Sequence, residues 1–382
     1  MRLRHAVLLL LCCAAAALGQ PDYAAPGRYA AAFRTADIPG ATEMMRNSRI
    51  YYPDSAGVIP LRAAPAPIVV FGHGWQMGID RYYSYAEHLA SWGYVVVLPT
   101  ISNPLFRPEH DRRARLMADA ARFTAALDTA TGDPFRGRLA RASWGFCGHS
   151  MGGGLAFLAA DIMELGDTLK AVVSLASPQT NPPTDAANVL VPKFVIAGGV
   201  DNIAPWRDVR AAYWQEALPP GSFAVIRGAN HGYFMDYSSW LENGGTATIT
   251  RDEQLRNSRR YLTVLFERHL HGDESGWNYA WLYGDSLRLS PALESVEVRL
   301  PQVAVGGRGG PRLPRFSVRP NPFTGWALVS GYEAGGMLIY DAAGTLIGAL
   351  SGPAVGGDLG PGVYFLRSAT GERQPVRIVK AR

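Results

Sequence analysis

Ser150 stands at the centre of Gly148-His149-Ser150-Met151-Gly152, a G-x-S-x-G pattern. An apolar run from Ala142 to Cys147 precedes it, and a helical run rich in Ala and Leu, Met151 to Met163, follows it. Strand, sharp turn and helix expose a serine hydroxyl on strained backbone, and the flanking glycines let strand and helix pass close together. A serine hydroxyl is a weak nucleophile at its free pKa, so it needs a base, and the base needs an orienting acid. Asp201 closes Ala197-Gly198-Gly199-Val200-Asp201 after one apolar run, and His231 lies in Gly228-Ala229-Asn230-His231-Gly232 after the next. The chemistry this order supports is acyl transfer. His231 takes the proton of Ser150, and Asp201 holds the imidazole tautomer and stabilises the imidazolium. A rate that falls as His231 protonates is the expected signature.

Acyl transfer also requires donors where the oxyanion forms. Phe71-Gly72-His73-Gly74-Trp75 follows an apolar run, and its glycines let the backbone turn inward. The backbone N–H groups of Trp75 and Met151 are the expected pair. Asp236 and Asp208 compete with Asp201, but neither directly follows a strand. His149 flanks the nucleophile and is a candidate either to line the site or to pack behind it. His88 and His110 suit packing or surface roles, and His269 and His271 near a helix end suit solvent. His73 reads as a structural hydrogen-bonder, since no second metal ligand sits at a matching spacing. No metal or nucleotide motif is present, and no cofactor is expected.

These loops need a scaffold. Runs such as Pro67–Phe71, Tyr94–Leu98, Ala171–Leu175, Phe194–Ala197 and Phe223–Ile226 are continuously apolar and rich in β-branched residues. That texture suits strands buried on both faces. Helical stretches lie between and beyond them, at about 81–92, 108–130, 151–164 and 251–270. The alternation implies an α/β fold with a doubly wound, mostly parallel sheet, whose strand carboxyl ends open onto one crevice. After residue 300 the texture changes. Val305 to Pro311 is Gly-rich, and 301–315 reads as a linker. Residues 316–382 show short alternating runs broken by Gly and Pro, the pattern of a small all-β sandwich.

Composition narrows the class further. The chain has 382 residues, 48% hydrophobic and 18% charged, which excludes wholesale disorder. Its net charge of +5 includes Arg2 and Arg4, and no basic run interleaves with aromatics, so nucleic acid is not an expected partner. No apolar run is long enough for a transmembrane helix. Residues 1–19 have a charged start, an apolar stretch from Ala6 to Leu18 and the small residues Ala17-Leu18-Gly19, the layout of a cleaved signal peptide. Of the three cysteines, Cys12 and Cys13 would leave with it. Cys147 then remains alone, unable to form an intrachain disulfide and read as a buried thiol.

The residues resemble the α/β-hydrolase superfamily, and within it the cutinase and polyester-hydrolase branch together with dienelactone-hydrolase-like esterases. The matching segments are Gly148–Gly153, Ser177-Pro178-Gln179, Asp201-Asn202-Ile203-Ala204-Pro205 and His231. They fall in order across roughly residues 66–272. The resemblance implies that Trp75 and Met151 bracket an ester carbonyl. Dienelactone hydrolases proper use a cysteine nucleophile, so Ser150 points to ordinary esters. The branch often has a Trp just beyond Pro-Gln, where this chain has Thr180-Asn181. Only Ser177 to Lys193 lies where this superfamily inserts a cap, which leaves little room for a lid. An uncapped crevice lined by Trp75, His149, Met151, Trp206, Tyr233 and Phe234 would take an ester substrate with bulky apolar, lipidic or polymeric chains.

The tail resembles the C-terminal sorting domain of type IX secretion cargo. Pro320-Asn321-Pro322-Phe323, Ile339–Gly344, Gly362-Val363-Tyr364-Phe365 and Val376–Lys380 carry that likeness. It implies secretion machinery as a partner and a secreted or cell-surface location. The expectation for residues 20–300 is a serine esterase. A peptidase or acyltransferase on the same scaffold stays open, since a triad does not choose the leaving group. So does a non-catalytic surface adhesin.

Overall fold

The computed structural model describes residues 21–102, 109–300, 317–330, 332, 337–341, 346–350, 352–368 and 376–381. The signal-peptide stretch, the linker and the Ala342-Ala343-Gly344 part of the tail motif lie outside the described residues. The chain parts into two compact units, Met1–Pro301 and Gln302–Arg382.

The first unit holds a nine-stranded sheet. Its strands are β1 (Ala30–Pro39), β2 (Met44–Asp54), β3 (Ala66–Gly72), β4 (Val95–Leu98), β5 (Leu139–His149), β6 (Leu169–Leu175), β7 (Lys193–Gly198), β8 (Gly221–Ile226) and β9 (Leu293–Arg299). Their spatial order is β1-β2-β4-β3-β5-β6-β7-β8-β9. The six from β3 to β8 run parallel to one another, β2 and β9 flank them antiparallel, and β1 at the far edge pairs antiparallel with β2. The order reverses where β3 sits between β4 and β5, the kind of position at which doubly wound sheets open a crevice.

The apolar runs are continuous because both faces are covered. Successive strand residues point to opposite faces, so Ile68 and Val70 join one core while Val69 and Phe71 join the other. The first core is closed by α2 (His110–Ala126), α3 (Met151–Ile162) and α4 (Trp206–Tyr213), through Leu116, Leu155, Phe157 and Val209. The second is closed by α1 (Tyr83–Ser91) and α5 (Arg251–His269), through Tyr85, Leu89, Leu262 and Phe266. Cys147 is buried in this second core, and desolvation raises its thiol well above the usual range, which leaves it inert.

His88 is buried where α1 meets α5, with its Nε2 at 2.8 Å from Thr263 Oγ1. Burial pushes its pKa down to about 3, from an ordinary value of 6.5. A histidine depressed in the folded state adds stability that is whole above pH 6.5 and is lost as pH falls from there towards 3, because only the unfolded chain gains the proton. We expect the urea midpoint to drop steadily below pH 6.5. His88→Gln, which keeps a hydrogen-bonding side chain but does not titrate, should make that decline shallower by up to about 1.4 kcal/mol per pH unit. An unchanged slope would show that His88 is not held neutral.

The second unit has two antiparallel sheets. One is built from β10 (Ser317–Arg319), β11 (Ala327–Ser330) and β14 (Ala354–Val355). The other is built from β12 (Met337–Asp341), β13 (Leu346–Ala349), β15 (Gly362–Ser368) and β16 (Val376–Lys380). Val318, Val329 and Val355 of the first share one core with Met337, Ile339, Leu366 and Ile378 of the second. This is the small all-β domain expected from the alternating pattern.

Candidate active site

Ser150 lies between the end of β5 and the start of α3, with φ 54° and ψ −125°. A side-chain-bearing residue rarely adopts a positive φ, and holding it there costs about 1–3 kcal/mol that the surroundings must supply. Its N–H donates to Leu175 O at 2.9 Å, and its carbonyl accepts from Gly153 N at 3.1 Å. The turn is possible because glycines replace side chains on every side. A Cβ on Gly152 would stand 2.0 Å from Gly72 O, so α3 touches β3 backbone to backbone.

Asp201 follows β7 and His231 follows β8, and both are buried. His231 Nδ1 lies 2.7 Å from Asp201 Oδ2. The other carboxylate oxygen, Oδ1, accepts from the N–H groups of Ile203 at 2.8 Å and Ala204 at 2.9 Å. The carboxylate is therefore fixed from both ends. A carboxylate can only accept, so the proton between them sits on Nδ1, and Nε2 is left as the basic nitrogen. The His231 ring lies 4.6 Å, centroid to centroid, from the ring of His149, the neighbour of Ser150. The competing acids are placed differently. Asp236 accepts from Ser84 N at 2.9 Å and from the Ser84 hydroxyl, and burial raises its carboxyl pKa. Asp208 is exposed in the first turn of α4.

The two residues expected to donate to the oxyanion follow β5 and β3, and the loop after β3 comes close to the serine, since a Cβ on Gly74 would lie 3.6 Å from Ser150 Cβ. Met151 is the first residue of α3, where backbone N–H groups lack helical partners. Trp75 is on the loop after β3, with its side chain exposed. That loop is pinned by two side chains. Tyr82 Oη accepts from Gly74 N at 3.0 Å, and His73 bridges the Gly74 carbonyl at 2.9 Å and the N–H of Ile101 at 3.1 Å. His73 thus has the hydrogen-bonding role read from its sequence.

Four side chains were expected beside Trp75 and Met151 as crevice lining, and the structure places them unequally. Trp206 and Tyr233 are half-buried, at the start of α4 and just after His231. His149 and Phe234 are removed from the lining, since they are only 1% and 0% exposed. His149 stacks on Phe234 and its Nδ1 lies 3.0 Å from Tyr82 Oη. Burial, and next the neighbouring His231, hold His149 neutral, well below the usual imidazole range. The reason is strand parity. His149 points to the same side of β5 as Cys147, into the second core, and that spacing of two was a signal already present in the sequence. The Met151 side chain also packs in the core, which removes it from the lining too. His269 and His271, expected in solvent, are partnered by Tyr283 and Glu267, and burial lowers His269 to about 4.

Other positioning residues carried no sequence motif. Arg251 donates to the carbonyls of Gly232 at 2.8 Å and Met235 at 2.6 Å, clamping the turn that carries His231. Gln254 brackets Asn230 on both backbone atoms. Asn243 O accepts from Gly232 N at 3.1 Å and Gly244 O from Asn202 N at 2.8 Å, so one loop ties the base to the acid. A hollow of about 750 Å³ lies away from all of these, between Tyr29, Arg62, Trp92 and His271. Among the described residues no group of His, Cys, Asp and Glu is arranged to hold a metal ion, and no helix is long and apolar enough to cross a membrane.

A parallel sheet wound on both faces, with a strained serine turn after one strand and a paired acid and histidine after later ones, is an α/β-hydrolase fold. Residues 24–263 match the family model of PET hydrolase-like proteins, and the chain belongs to that family. It is accordingly a hydrolase acting on esters. Comparison with curated proteins gave no match.

Proposed function

We propose that the chain is a secreted serine hydrolase that cleaves carboxylic esters through an acyl-enzyme on Ser150. Ser150 Oγ attacks the ester carbonyl while His231 Nε2 takes its proton, and the N–H groups of Trp75 and Met151 receive the oxyanion. The alcohol leaves with the proton returned by His231. Water then repeats the sequence to release the acid. The observation that carries this reading is the fixed pair. Asp201 bonds His231 Nδ1 at 2.7 Å and has its second oxygen held by two backbone N–H groups. Exposed Trp75 and half-buried Trp206 and Tyr233 suit bulky apolar acyl groups or polyester chains. The tail, with a core of its own, is read as a type IX sorting domain that carries the enzyme to the cell exterior.

Labelling with a fluorophosphonate probe should occur in the natural chain and vanish in Ser150→Ala. A panel of p-nitrophenyl esters set against peptide anilides should then show turnover of the esters alone. Labelling that persists in Ser150→Ala would remove the nucleophile. Faster cleavage of anilides would make the enzyme a peptidase.

A further inference from the structure

Beyond His231 the chain turns through Tyr237, Ser238 and Ser239 into a single 3-10 turn, Trp240–Glu242. Its two leading side chains are unusually bare. Trp240 is 80% exposed and Leu241 69%. A lone exposed apolar residue is ordinary, but adjacent Trp and Leu side chains offered together to water point to something that covers them.

The turn is held firmly from below. Ser239 forms a capping box with Glu242, whose carboxylate accepts from Ser239 N at 2.6 Å. Glu242 also pairs with Arg81 at 2.7 Å, and Arg81 lies over the Tyr237 ring at 4.9 Å. The Tyr237 hydroxyl bonds Asp80. Asn243 and Gly244, next in sequence, tie the turn to the loops of His231 and Asp201. Polar groups at the base are thus satisfied within the protein, while the apolar tips stay outward. Asp80 and Arg81 come from the segment just after Trp75, so the prong bridges the loops that carry Trp75 and His231. Tyr237, beside Arg81, and Ile203, which lies against Gly244, are 49% and 46% exposed and add apolar surface next to the turn.

We infer that Trp240 and Leu241 form an anchoring prong that adsorbs the enzyme onto a neutral apolar solid, the surface of an insoluble ester-bearing polymer. The inference rests on the esterase reading for its choice of occupant. Because Asn243 and Gly244 hydrogen-bond the loops of His231 and Asp201, a polymer presenting an ester to those two residues would come within reach of the prong. The local charges favour a neutral solid over an anionic bilayer. Membrane-surface anchors surround their apolar residues with available Lys and Arg. Here Arg81 is engaged by Glu242, and Arg251 by the carbonyls of Gly232 and Met235 and the Ser238 hydroxyl.

The test separates adsorption from chemistry. Full-length Ser150→Ala, with and without Trp240→Ala and Leu241→Ala, is partitioned onto polystyrene beads, an aromatic polyester film and vesicles of neutral or anionic lipid. Polystyrene has no ester, so its result stands even if no ester is ever turned over. Removing the two tips should weaken adsorption to both polymers about a hundredfold. In the active chain the same pair of changes should leave kcat/KM on p-nitrophenyl acetate within about twofold. Leu190→Ala is the control, since Leu190 is 68% exposed shortly before β7 begins, at the opposite end of that strand from Asp201. Equal adsorption with and without the prong, an equal loss in Leu190→Ala, or prong-dependent binding to vesicles but not polymers would each overturn the inference.

Discussion

Asp201→Asn is expected to lower kcat on soluble esters by about 10⁴-fold while the protein stays folded. The geometry says why so small a change should matter. Asp201 Oδ1 accepts from two backbone N–H groups, which demand an oxygen. The asparagine must therefore aim its carbonyl at Ile203 and Ala204 and its NH₂ at His231. An NH₂ facing Nδ1 forces that nitrogen to accept, and the ring proton moves to Nε2. The histidine then has no lone pair for the proton of Ser150. Steady-state kinetics alongside an unfolding curve would check this. A loss smaller than about tenfold, with the fold intact, would mean that Asp201 does not set the tautomer.

Gly152→Ala should be nearly as damaging, through packing instead of protons. The added methyl would lie 2.0 Å from Gly72 O and 2.2 Å from Gly72 C, both backbone atoms of β3. Gly72 cannot retreat, because it pairs in register with Gly148 of the neighbouring strand. Helix α3 must therefore back away, carrying Ser150 and Met151 with it. Overpacking of this kind costs about 3 kcal/mol and sometimes more. A displacement near 1 Å at a reacting group costs about 10² in rate. Gly154→Ala is the comparison, since its methyl would meet the Tyr213 hydroxyl at 2.7 Å and Thr180 Cγ2 at 2.9 Å, both side-chain atoms. We expect urea midpoint and kcat both to fall further in Gly152→Ala than in Gly154→Ala. Near-natural values in Gly152→Ala would show that the helix and strand are not in contact.

The parts of this molecule legible in its sequence are those with both faces in the dry interior. Strands β3 to β8 read as apolar runs where neither side meets water, which for β5 is only its second half, from Trp144 on. The edge strands carry no such signature. β1 and β2 mix Arg34, Asp37, Arg46 and Arg49 among their apolar residues, and β9 carries Glu294, Glu297 and Arg299. A strand covered on one side only, or barely at all, loses the continuous signature. At the site, Ser150, Asp201 and His231 stood out because loops at strand ends have a fixed order in this fold. Tyr82, Arg251, Gln254 and the loop at Asn243–Gly244 did not. They act through backbone atoms far away in the chain, and nothing in a residue type announces which distant carbonyl it will hold. His149 and Phe234 are near Ser150 and His231 along the chain yet buried in the core, because closeness in sequence does not fix the side to which a side chain points.

The clamp from Arg251 has a bearing on heat tolerance. Arg251 is the first residue of its helix, and helix ends open more readily than the middles. The imidazole is thus moored to the first turn of a long helix. Warming that loosens this one turn would let His231 drift while the remainder of the molecule still scattered light and absorbed as a native protein. That turn is held by Thr250, whose hydroxyl accepts from Glu253 N at 3.2 Å while Glu253 accepts from Thr250 N at 2.8 Å, so loss of activity on heating should track this cap and one guanidinium.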